Sequence, residues 1–411
     1  MKRPRTLFVA PRLPFPLNNG TKIRVNHLLR ALTEISDVDF VCFGLPWEYA
    51  FVSDSRSELP DWWYSLRSGQ MLPFPDWQVD DARRYRRLAV RRFFARTDGF
   101  YDGFPTDVLK ERVSTLIGQA DLIWAERLYI ARAFLACGSD KTIVDLDDLE
   151  SAKVRRDAEA GAAGLGRAAL IREAARLACT ERGAVRQFAG LAVCSPEDAA
   201  NFDTGTGRVW VVPNGVDDSM MYRPAIARLP HRLVFVGTLN YWPNEQAMLY
   251  FHREILPQVR ARIPDLSMAI VGLKPPASIR SLHDGQSIFV HADVPDITPY
   301  VQQAAASIVP LQIGGGTRLK ILESLALGTP VVSTSIGAEG LNLEHARHLL
   351  LADDPGEFAT AVIRVLEDTE YSRLLARQGH ARVEETYLWS SIRRHVQERC
   401  MSLLDARRAR T

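Results

Sequence analysis

The sequence predicts an α/β fold made of two Rossmann-like, doubly wound domains. Three observations support this prediction: short apolar runs alternate with helical periodicity, the alternation restarts near residue 211, and 411 residues exceed one ordinary domain of roughly 100 to 200. Such alternation is typical of parallel sheets covered by helices. We expect a first domain over 1–210, a second over 211–388, and a last helical segment, 389–411, that can pack back on the first.

The first domain opens with a βα unit. TLFVA at 6–10 has the length of a buried strand, and residues 21–35 follow with apolar positions at helical spacing. Further strand-like runs lie at 38–44, 120–126, 141–148 and 190–195. Residues 46–118 are rich in tryptophan and proline, and their pattern does not assign individual strands.

The second domain repeats this alternation. Strands are predicted at 232–237, 267–272, 287–294, 307–316 and 330–335, and helices at 245–263, 297–305 and 317–328. In doubly wound sheets ligands bind at the carboxyl ends of the strands. Two such domains with those edges facing a cleft predict a ligand between them.

Composition and charge exclude several classes of protein. Hydrophobic residues make up 46% and charged residues 24%, which excludes wholesale disorder and fibrous repeats. The net charge is +2, from 51 Lys and Arg against 49 Asp and Glu, so a global polycation for nucleic acid is not supported. Five scattered cysteines without a C-x-x-C spacing favour neither a disulfide framework nor a zinc site. Because such cysteines fit a reducing cytosol, we expect a cytoplasmic protein. No apolar run is long enough to span a bilayer, so we expect no membrane-spanning helix.

An arginine-rich stretch at 83–96 carries the local positive charge. It reads RRYRRLAVRRFFAR, with seven arginines among aromatic and aliphatic residues. A basic amphipathic helix of this kind can lie on anionic lipid, which would place the protein peripherally at the inner face of the membrane. A solvated face or an acidic partner within the chain explains the pattern equally well, and nucleic acid is a poorer third alternative.

The most informative segment, 307–340, combines a buried strand, a glycine loop and the start of a helix. Its candidate site residues follow one another as Gly314, Gly315, Gly316, Thr317 (the expected N-cap), Arg318 and Lys320. Glycines let the backbone approach a ligand closely, and helix N–H groups beside two cations favour a phosphate. On this helix Leu322 belongs to the core stripe, whereas Lys320 and Glu323 lie on another face. An ordinary surface ion pair after a glycine loop remains the alternative.

This segment resembles the donor-binding motif of family 4 glycosyltransferases, the retaining sugar transferases of GT-B fold. The matching residues are Glu323, Gly328, Pro330, Val331, Val332 and Gly337. The first glutamate of the family motif is replaced by Gly315, and the string GGGTRLKILE is closest to a subgroup of exopolysaccharide-associated sugar transferases. VVPNGVD at 211–217, FVGTLNYWPN at 235–244, LSMAIVG at 266–272 and YLW at 387–389 extend the resemblance over most of 190–390.

The resemblance implies a metal-independent, retaining transfer of sugar from a nucleotide-diphosphate sugar to a glycan, lipid-linked or small-molecule acceptor, in polysaccharide or glycoconjugate biosynthesis. No cofactor is implied beyond the donor substrate. Glu323 would accept hydrogen bonds from the ribose hydroxyls, and the base would lie against 292–294. The implied donor-binding set is Gly20, Gly237, Thr238, Asp293, Val294, Gly314, Gly315, Gly316, Thr317, Leu322 and Glu323.

Three catalytic candidates follow from departures from the family pattern. Where the family has a Gly-Arg pair and a lysine, this chain has Gly237, Thr238 and about Asn244, so Arg318 and Lys320 are the substitute cations for the leaving diphosphate. Glu126 stands where relatives often have a histidine. Asn18 to Thr21 resemble the family's first glycine loop, although a plain strand-to-helix turn with a threonine cap fits equally well.

Other functions remain open at this stage. Asp145, Asp147 and Asp148 form a D-x-D pattern that can bind Mg²⁺ or Mn²⁺ in GT-A transferases, but the two-domain pattern disfavours that layout, and we expect no metal. A non-catalytic GT-B protein that binds a nucleotide sugar or a partner is one alternative. A GT-B nucleotide-sugar epimerase is another, and assays of donor hydrolysis with and without acceptors would separate these functions.

Overall fold

A computed structural model describes residues 3–17, 19–44, 59–73, 106–161, 164–202, 205–221, 226–314 and 316–409. The chain divides into two compact units, Met1–Pro213 with Ile392–Thr411, and Asn214–Ser391. These bounds lie three residues beyond the domain boundaries expected from the sequence. Each unit has a parallel sheet with helices, which confirms the predicted α/β fold class.

Within the described residues, the first unit has a seven-stranded parallel sheet in the order β3-β2-β1-β4-β5-β6-β7. The strands are β1 Arg5–Ala10, β2 Asp37–Gly44, β3 Ser68–Pro73, β4 Leu122–Glu126, β5 Thr142–Leu146, β6 Gly190–Val193 and β7 Val209–Val211. Its helices within the described residues are Gly20–Ile35, Thr106–Gln119, Leu128–Ala131, Glu150–Gly161, Gly164–Gln187 and Pro196–Ala200. The edge strand β3 lies in the stretch that the sequence pattern left unassigned.

The helix Gly20–Ile35 follows the carboxyl end of β1 and covers the sheet. Asn19 caps it, since its side-chain oxygen accepts a hydrogen bond from the Lys22 amide at 3.0 Å. The cap is therefore asparagine rather than the threonine considered above. Leu28, Leu29 and Leu32 are fully buried, as the helical spacing predicts.

The second unit has a six-stranded parallel sheet in the order β10-β9-β8-β11-β12-β13. The strands are β8 Arg232–Thr238, β9 Ser267–Leu273, β10 Ile288–Ala292, β11 Ala306–Val309, β12 Val331–Ser333 and β13 Leu350–Leu351. The described helices are Trp242–Tyr250, Leu256–Arg262, Ala277–Arg280, Thr298–Gln303, Leu319–Ala326, Pro355–Glu367 and Thr369–Thr386. A π-helical turn, Phe251–Ile255, joins the first two of these helices just before Pro257, which has no amide hydrogen for the regular ladder.

The helix Trp389–Arg408 starts in the last residues of the second unit and continues in the first. Its Gln397 side chain donates to the Ala31 carbonyl at 3.0 Å, and Arg407 donates to the Asp140 carboxylate at 2.8 Å. Residues 392–409 therefore pack on the first unit. Among the helices that the structure describes, none is long and apolar enough to cross a membrane.

Candidate functional site

The helix Leu319–Ala326 follows the carboxyl end of β11 and the glycine loop, as predicted, but it begins later than expected. Arg318 occupies the N-cap position without a side-chain capping bond. The Thr317 hydroxyl instead accepts a hydrogen bond from Asn214 Nδ2 at 3.2 Å. The prediction of Thr317 as the N-cap is therefore wrong, because its side chain is bound by a residue distant in sequence and the helix begins at Leu319, one residue later than a cap at Thr317 implies.

Lys320 is held by groups at the carboxyl end of β8. Its Nζ donates to Asn244 Oδ1 at 2.7 Å and lies 4.1 Å from the centre of the Phe235 ring. The Asn244 amide in turn donates to the Thr238 carbonyl at 2.9 Å. A Cβ at Gly237 would lie 2.9 Å from both Lys320 Nζ and Asn244 Nδ2, so only glycine leaves room for this arrangement.

Arg318 lies against the glycine loop. Its side chain is buried, and Nη1 donates to the Gly316 carbonyl at 2.6 Å. Gly314 and Gly316 have φ angles of 133° and 76°, which favour glycine, and a Cβ at Gly314 would lie 2.9 Å from Arg318 Nη2. The loop therefore accommodates a buried guanidinium close to its backbone. Gly315, predicted for the same loop, lies outside the described residues.

The pKa values of the charged groups in this site are shifted by burial and by the neighbouring charges. Burial and the charge of Arg318 together lower the pKa of Lys320 to about 7, burial having the larger effect, and Glu323 opposes both. Burial likewise raises the pKa of Glu323 to about 6, and Lys320 opposes that shift. Two desolvated cations in one cradle would be stabilised by an anionic ligand.

The other predicted donor-side residues of the second unit differ in their placement. Leu322 is fully buried in the apolar core, so its side chain supports the helix from within. Asp293 follows β10 with a φ of 52°, and its carboxylate accepts a hydrogen bond from the Lys274 amide at 2.9 Å. It is next to the partly buried Val294. Since β10 and β11 are three strand positions apart, this loop lies roughly 14 Å across the sheet edge from β11.

The second glycine loop follows β12. The Gly337 amide donates to Thr334 Oγ1 at 2.9 Å, and a Cβ at Gly337 would lie 2.8 Å from the Val309 carbonyl oxygen. Close approach of the backbone to the end of β11 thus requires glycine at this position.

Glu126 is the last residue of β4 in the first unit and is buried. Its Oε1 has no hydrogen-bond partner among the described residues, although Arg127 Nε lies 3.7 Å away. Burial raises the pKa of Glu126 to about 8, against the opposing charge of Arg127. Arg127 itself has a φ of 78°, a backbone conformation that side chains rarely adopt. The environment of Glu126 therefore favours the protonated form of its carboxyl group far more than water does.

The D-x-D carboxylates have side-chain partners of their own. Asp145 binds the Arg24 guanidinium through both oxygens, and the Asp147 carboxylate accepts from Thr21 Oγ1 at 2.8 Å. Thr21 follows Gly20, the first residue of its helix. In the part of the chain that the structure describes, no group of three or more His, Cys, Asp or Glu side chains is placed to hold a metal ion.

Two residues that were not predicted as site residues are partners of the side chains in these clusters. Asn244, which the sequence presents only as the replacement of a family cation, is the direct partner of Lys320. Arg24, in the first helix, pairs with Asp145 from 121 positions away. Arg24 could have been noticed in the sequence because it is a polar residue at a helical core position. Its residue type alone does not identify Asp145 as the partner.

Comparison with known proteins gives a family match and distant relatives for parts of the chain. Residues 230–368, about a third of the chain, match the family described as glycosyl transferases group 1. An uncharacterized 44.6 kDa protein from the cps region of Klebsiella pneumoniae is 28% identical over 166 residues, 38% of this chain and 42% of that protein. Glycogen synthase from Mycobacterium tuberculosis is 26% identical over 226 residues, 51% and 53% of the two chains. The matches span about half the length of these curated relatives.

Solved structures extend the likeness to nearly the whole chain. Sucrose-phosphate synthase from Thermosynechococcus elongatus superposes with a TM-score of 0.68 at 16% identity, covering 98% of this chain and all of that one. HepE from Anabaena, solved with UDP and glucose, gives a TM-score of 0.61 at 13% identity, covering 97% and 99%. The chain therefore has the two-domain α/β fold of GT-B glycosyltransferases. The residues that match the family described as glycosyl transferases group 1, 230–368, lie within its second unit.

Proposed function

We propose that this protein is a retaining glycosyltransferase that moves a sugar from a nucleotide-diphosphate sugar to an acceptor. The observation that carries the proposal is the cradle of Arg318 and Lys320 against a glycine-rich strand-to-helix turn, within the residues that match the glycosyltransferase family. HepE, a protein of similar fold, is solved with UDP and glucose, which supports a nucleotide sugar as the donor.

The donor would bind along the carboxyl edge of the second sheet. Its diphosphate would contact Arg318, Lys320 and the backbone of the glycine loop, together with Gly237 and Thr238 at the end of β8. The ribose hydroxyls would donate to Glu323, and the base would lie at the loop of Asp293 and Val294. These roles follow the implied family pattern.

In the proposed reaction the bond between the sugar carbon and the diphosphate breaks, and the acceptor oxygen bonds to that carbon on the same face. The acceptor proton moves to an oxygen of the departing diphosphate, so the protein needs no nucleophile of its own. Negative charge develops on the leaving group, and cations that are already oriented stabilise it most effectively where water is excluded. Arg318 and Lys320 would supply this stabilisation without a metal ion.

The first unit would supply the acceptor side. Glu126 keeps a proton near neutral pH and is buried beside Arg127, so it can exchange hydrogen bonds with a hydroxyl group of the acceptor. The acceptor would be a glycan, a lipid-linked glycan or a small molecule. A cytoplasmic protein that touches the inner face of the membrane through 83–96, which lie outside the described residues, would suit a lipid-linked acceptor.

A screen of UDP, GDP and dTDP sugars for thermal stabilisation tests the proposal. A ligand at a hundred times its dissociation constant stabilises the folded protein by about 2.7 kcal/mol, which is easily detected. Transfer assays with the selected donor then follow, and NMR of the product reports the anomeric configuration. Stabilisation without turnover would indicate a binding protein, an epimerised donor would indicate an epimerase, and stabilisation by none of these sugars would contradict the proposal.

A further inference from the structure

Both the nitrogen and the oxygen of the Asn244 side-chain amide are hydrogen-bonded. It lies in the first turn of the helix Trp242–Tyr250, is 7% exposed, and its backbone amide donates to the Tyr241 carbonyl at 2.8 Å. Its Nδ2 donates to the Thr238 carbonyl, so its Oδ1 faces the opposite way and accepts from Lys320 Nζ. The two bonds determine which end of the amide meets the ammonium group.

The ammonium group of Lys320 is confined by its surroundings. A lysine stem of four carbons ordinarily samples many conformations, and its charge is compact and strongly hydrated. Here the Phe235 ring lies 4.1 Å from Nζ on one side, and the place of a Cβ at Gly237 is only 2.9 Å away on another. Asn244 contributes the hydrogen bond that selects this one conformation.

We propose that Asn244 is a positioning residue for Lys320, whose ammonium group it holds at Gly237, where the donor diphosphate would bind, without adding a charge of its own. The location of the diphosphate rests on the proposed function, while the positioning of Lys320 does not. A carboxylate here would neutralise the cation and repel a diphosphate. An alanine would leave the lysine without its acceptor.

Because Asn244 is neutral, it adds no negative charge that would oppose the lowering of the Lys320 pKa. The charged groups that face Lys320 are Arg318 and Glu323 from its own segment, while the helix Trp242–Tyr250 and β8 present the neutral Asn244 amide and the Phe235 ring. Burial and Arg318 therefore lower the pKa of Lys320 with only Glu323 opposing them. Replacing Asn244 by aspartate adds a carboxylate in direct contact and raises this pKa.

The first experiment uses the protein without any ligand. Competitive acetylation with acetic anhydride between pH 5 and 10, quantified by peptide mass spectrometry, gives the titration midpoint of Lys320. We expect Asn244→Asp to make Lys320 at least tenfold less reactive than in the wild type at pH 7.5. The control is Asn342→Asp, an exposed position in the same unit, which should leave the reactivity unchanged. Equal reactivity in the two folded variants would overturn the positioning role.

The second experiment measures UDP, GDP and dTDP binding by calorimetry from pH 6 to 9. Wild-type affinity should fall as Lys320 loses its proton, Asn244→Ala should bind at least tenfold more weakly, and Asn244→Asp should shift the alkaline fall to higher pH. Shifted acetylation with no nucleotide binding by the wild type would leave the positioning of Lys320 standing and contradict the proposed function. If the wild type binds nucleotide tightly but Asn244→Asp shifts neither the acetylation of Lys320 nor the pH profile, the proposed function would stand and the positioning role of Asn244 would be contradicted.

Discussion

Arg24 and Asp145 form an ion pair from which water is excluded. Arg24 Nη2 lies 2.7 Å from Asp145 Oδ1, and both side chains are fully buried. Arg24 Nη1 also donates to the Val212 carbonyl at 2.8 Å, so one guanidinium joins a helix, the end of β5 and the residue after β7. Buried charges are costly to desolvate, and each partner here depends on the other.

We expect Arg24→Met to lower the free energy of unfolding by about 3 to 5 kcal/mol, because it leaves the Asp145 carboxylate buried without its cation. Urea denaturation followed by circular dichroism measures this loss. Arg30→Met is the matched control on the same helix, since the pair of Arg30 and Glu34 is exposed and should contribute less than about 1 kcal/mol. Similar losses for the two variants would show that the buried pair contributes no special stability.

Arg318→Ala and Lys320→Ala should each reduce turnover about tenfold or more, because a hydrogen bond to a charged group contributes roughly 1.5 to 3 kcal/mol. Initial rates with the donor chosen by the stabilisation screen measure the effect. Arg347→Ala removes an exposed arginine of the same unit and should retain wild-type rates. Full activity and full donor affinity in both test variants would exclude the anion cradle.

Glu126→Gln should change how stability depends on pH. The folded pKa of Glu126, about 8, lies above its ordinary value of 4.5, so the folded protein binds this proton more tightly and loses stability as pH rises between those values. The loss is on the order of 1.4 kcal/mol per pH unit, and glutamine removes it. The free energy of unfolding of the variant should therefore rise relative to that of the wild type from pH 5 to 8. Above pH 8 the difference between the two should stay constant.

Urea titrations at pH 5, 6, 7, 8 and 9 test this expectation for Glu126. Glu111→Gln, an exposed carboxyl in the same unit, should follow the wild-type curve at every pH. A constant difference between Glu126→Gln and the wild type over the whole range would mean that Glu126 is already ionised at pH 5.

Sugar transfer should persist in excess EDTA, because Asp145 and Asp147 are bound by other side chains and the leaving charge has two protein cations. Rates before and after chelation, with Mg²⁺ and Mn²⁺ added back, measure this. Loss of activity that either ion restores would revive the metal function of the D-x-D carboxylates.

The arginine-rich stretch 83–96 should make the protein sediment with anionic vesicles and not with neutral ones, with binding that weakens as salt is added. Each cation near an anionic surface contributes about 1 kcal/mol, and screening acts beyond a Debye length of about 8 Å at physiological salt. Changing Arg86, Arg87, Arg91 and Arg92 to glutamate should abolish the effect. Unchanged sedimentation of that folded variant would indicate a solvated face and favour a soluble acceptor.

The fold was predictable because its signals are local. A buried parallel strand is a short apolar run, and in the helix that follows it apolar residues recur every three to four positions. The strand β1 and the helix Gly20–Ile35 could therefore be placed from their own residues. The strand β3, SGQMLP, lies at the sheet edge, where burial imposes no apolar run, and its sequence resembles a loop. Edge position explains why this strand escaped prediction.

The candidate site was predictable only in part. Glycines before a helix indicate close backbone approach, and Arg318 and Lys320 lie near enough in sequence to be recognised together. The contact of Thr317, which replaces the expected cap, and the contact of Lys320 are made instead with Asn214 and Asn244, which lie 103 and 76 positions away from them. Contacts over such distances are products of the folded chain and leave no spacing pattern.

The return of residues 392–409 to the first unit determines when that unit can be finished during biosynthesis. Gln397 and Ala31, which share a hydrogen bond, are 366 positions apart. The ribosome makes the whole second unit between them, and that unit contains its own apolar core. All seven described strands of the first unit leave the ribosome before the second unit is made, but the face that binds residues 392–409 stays uncovered until those residues have been synthesised.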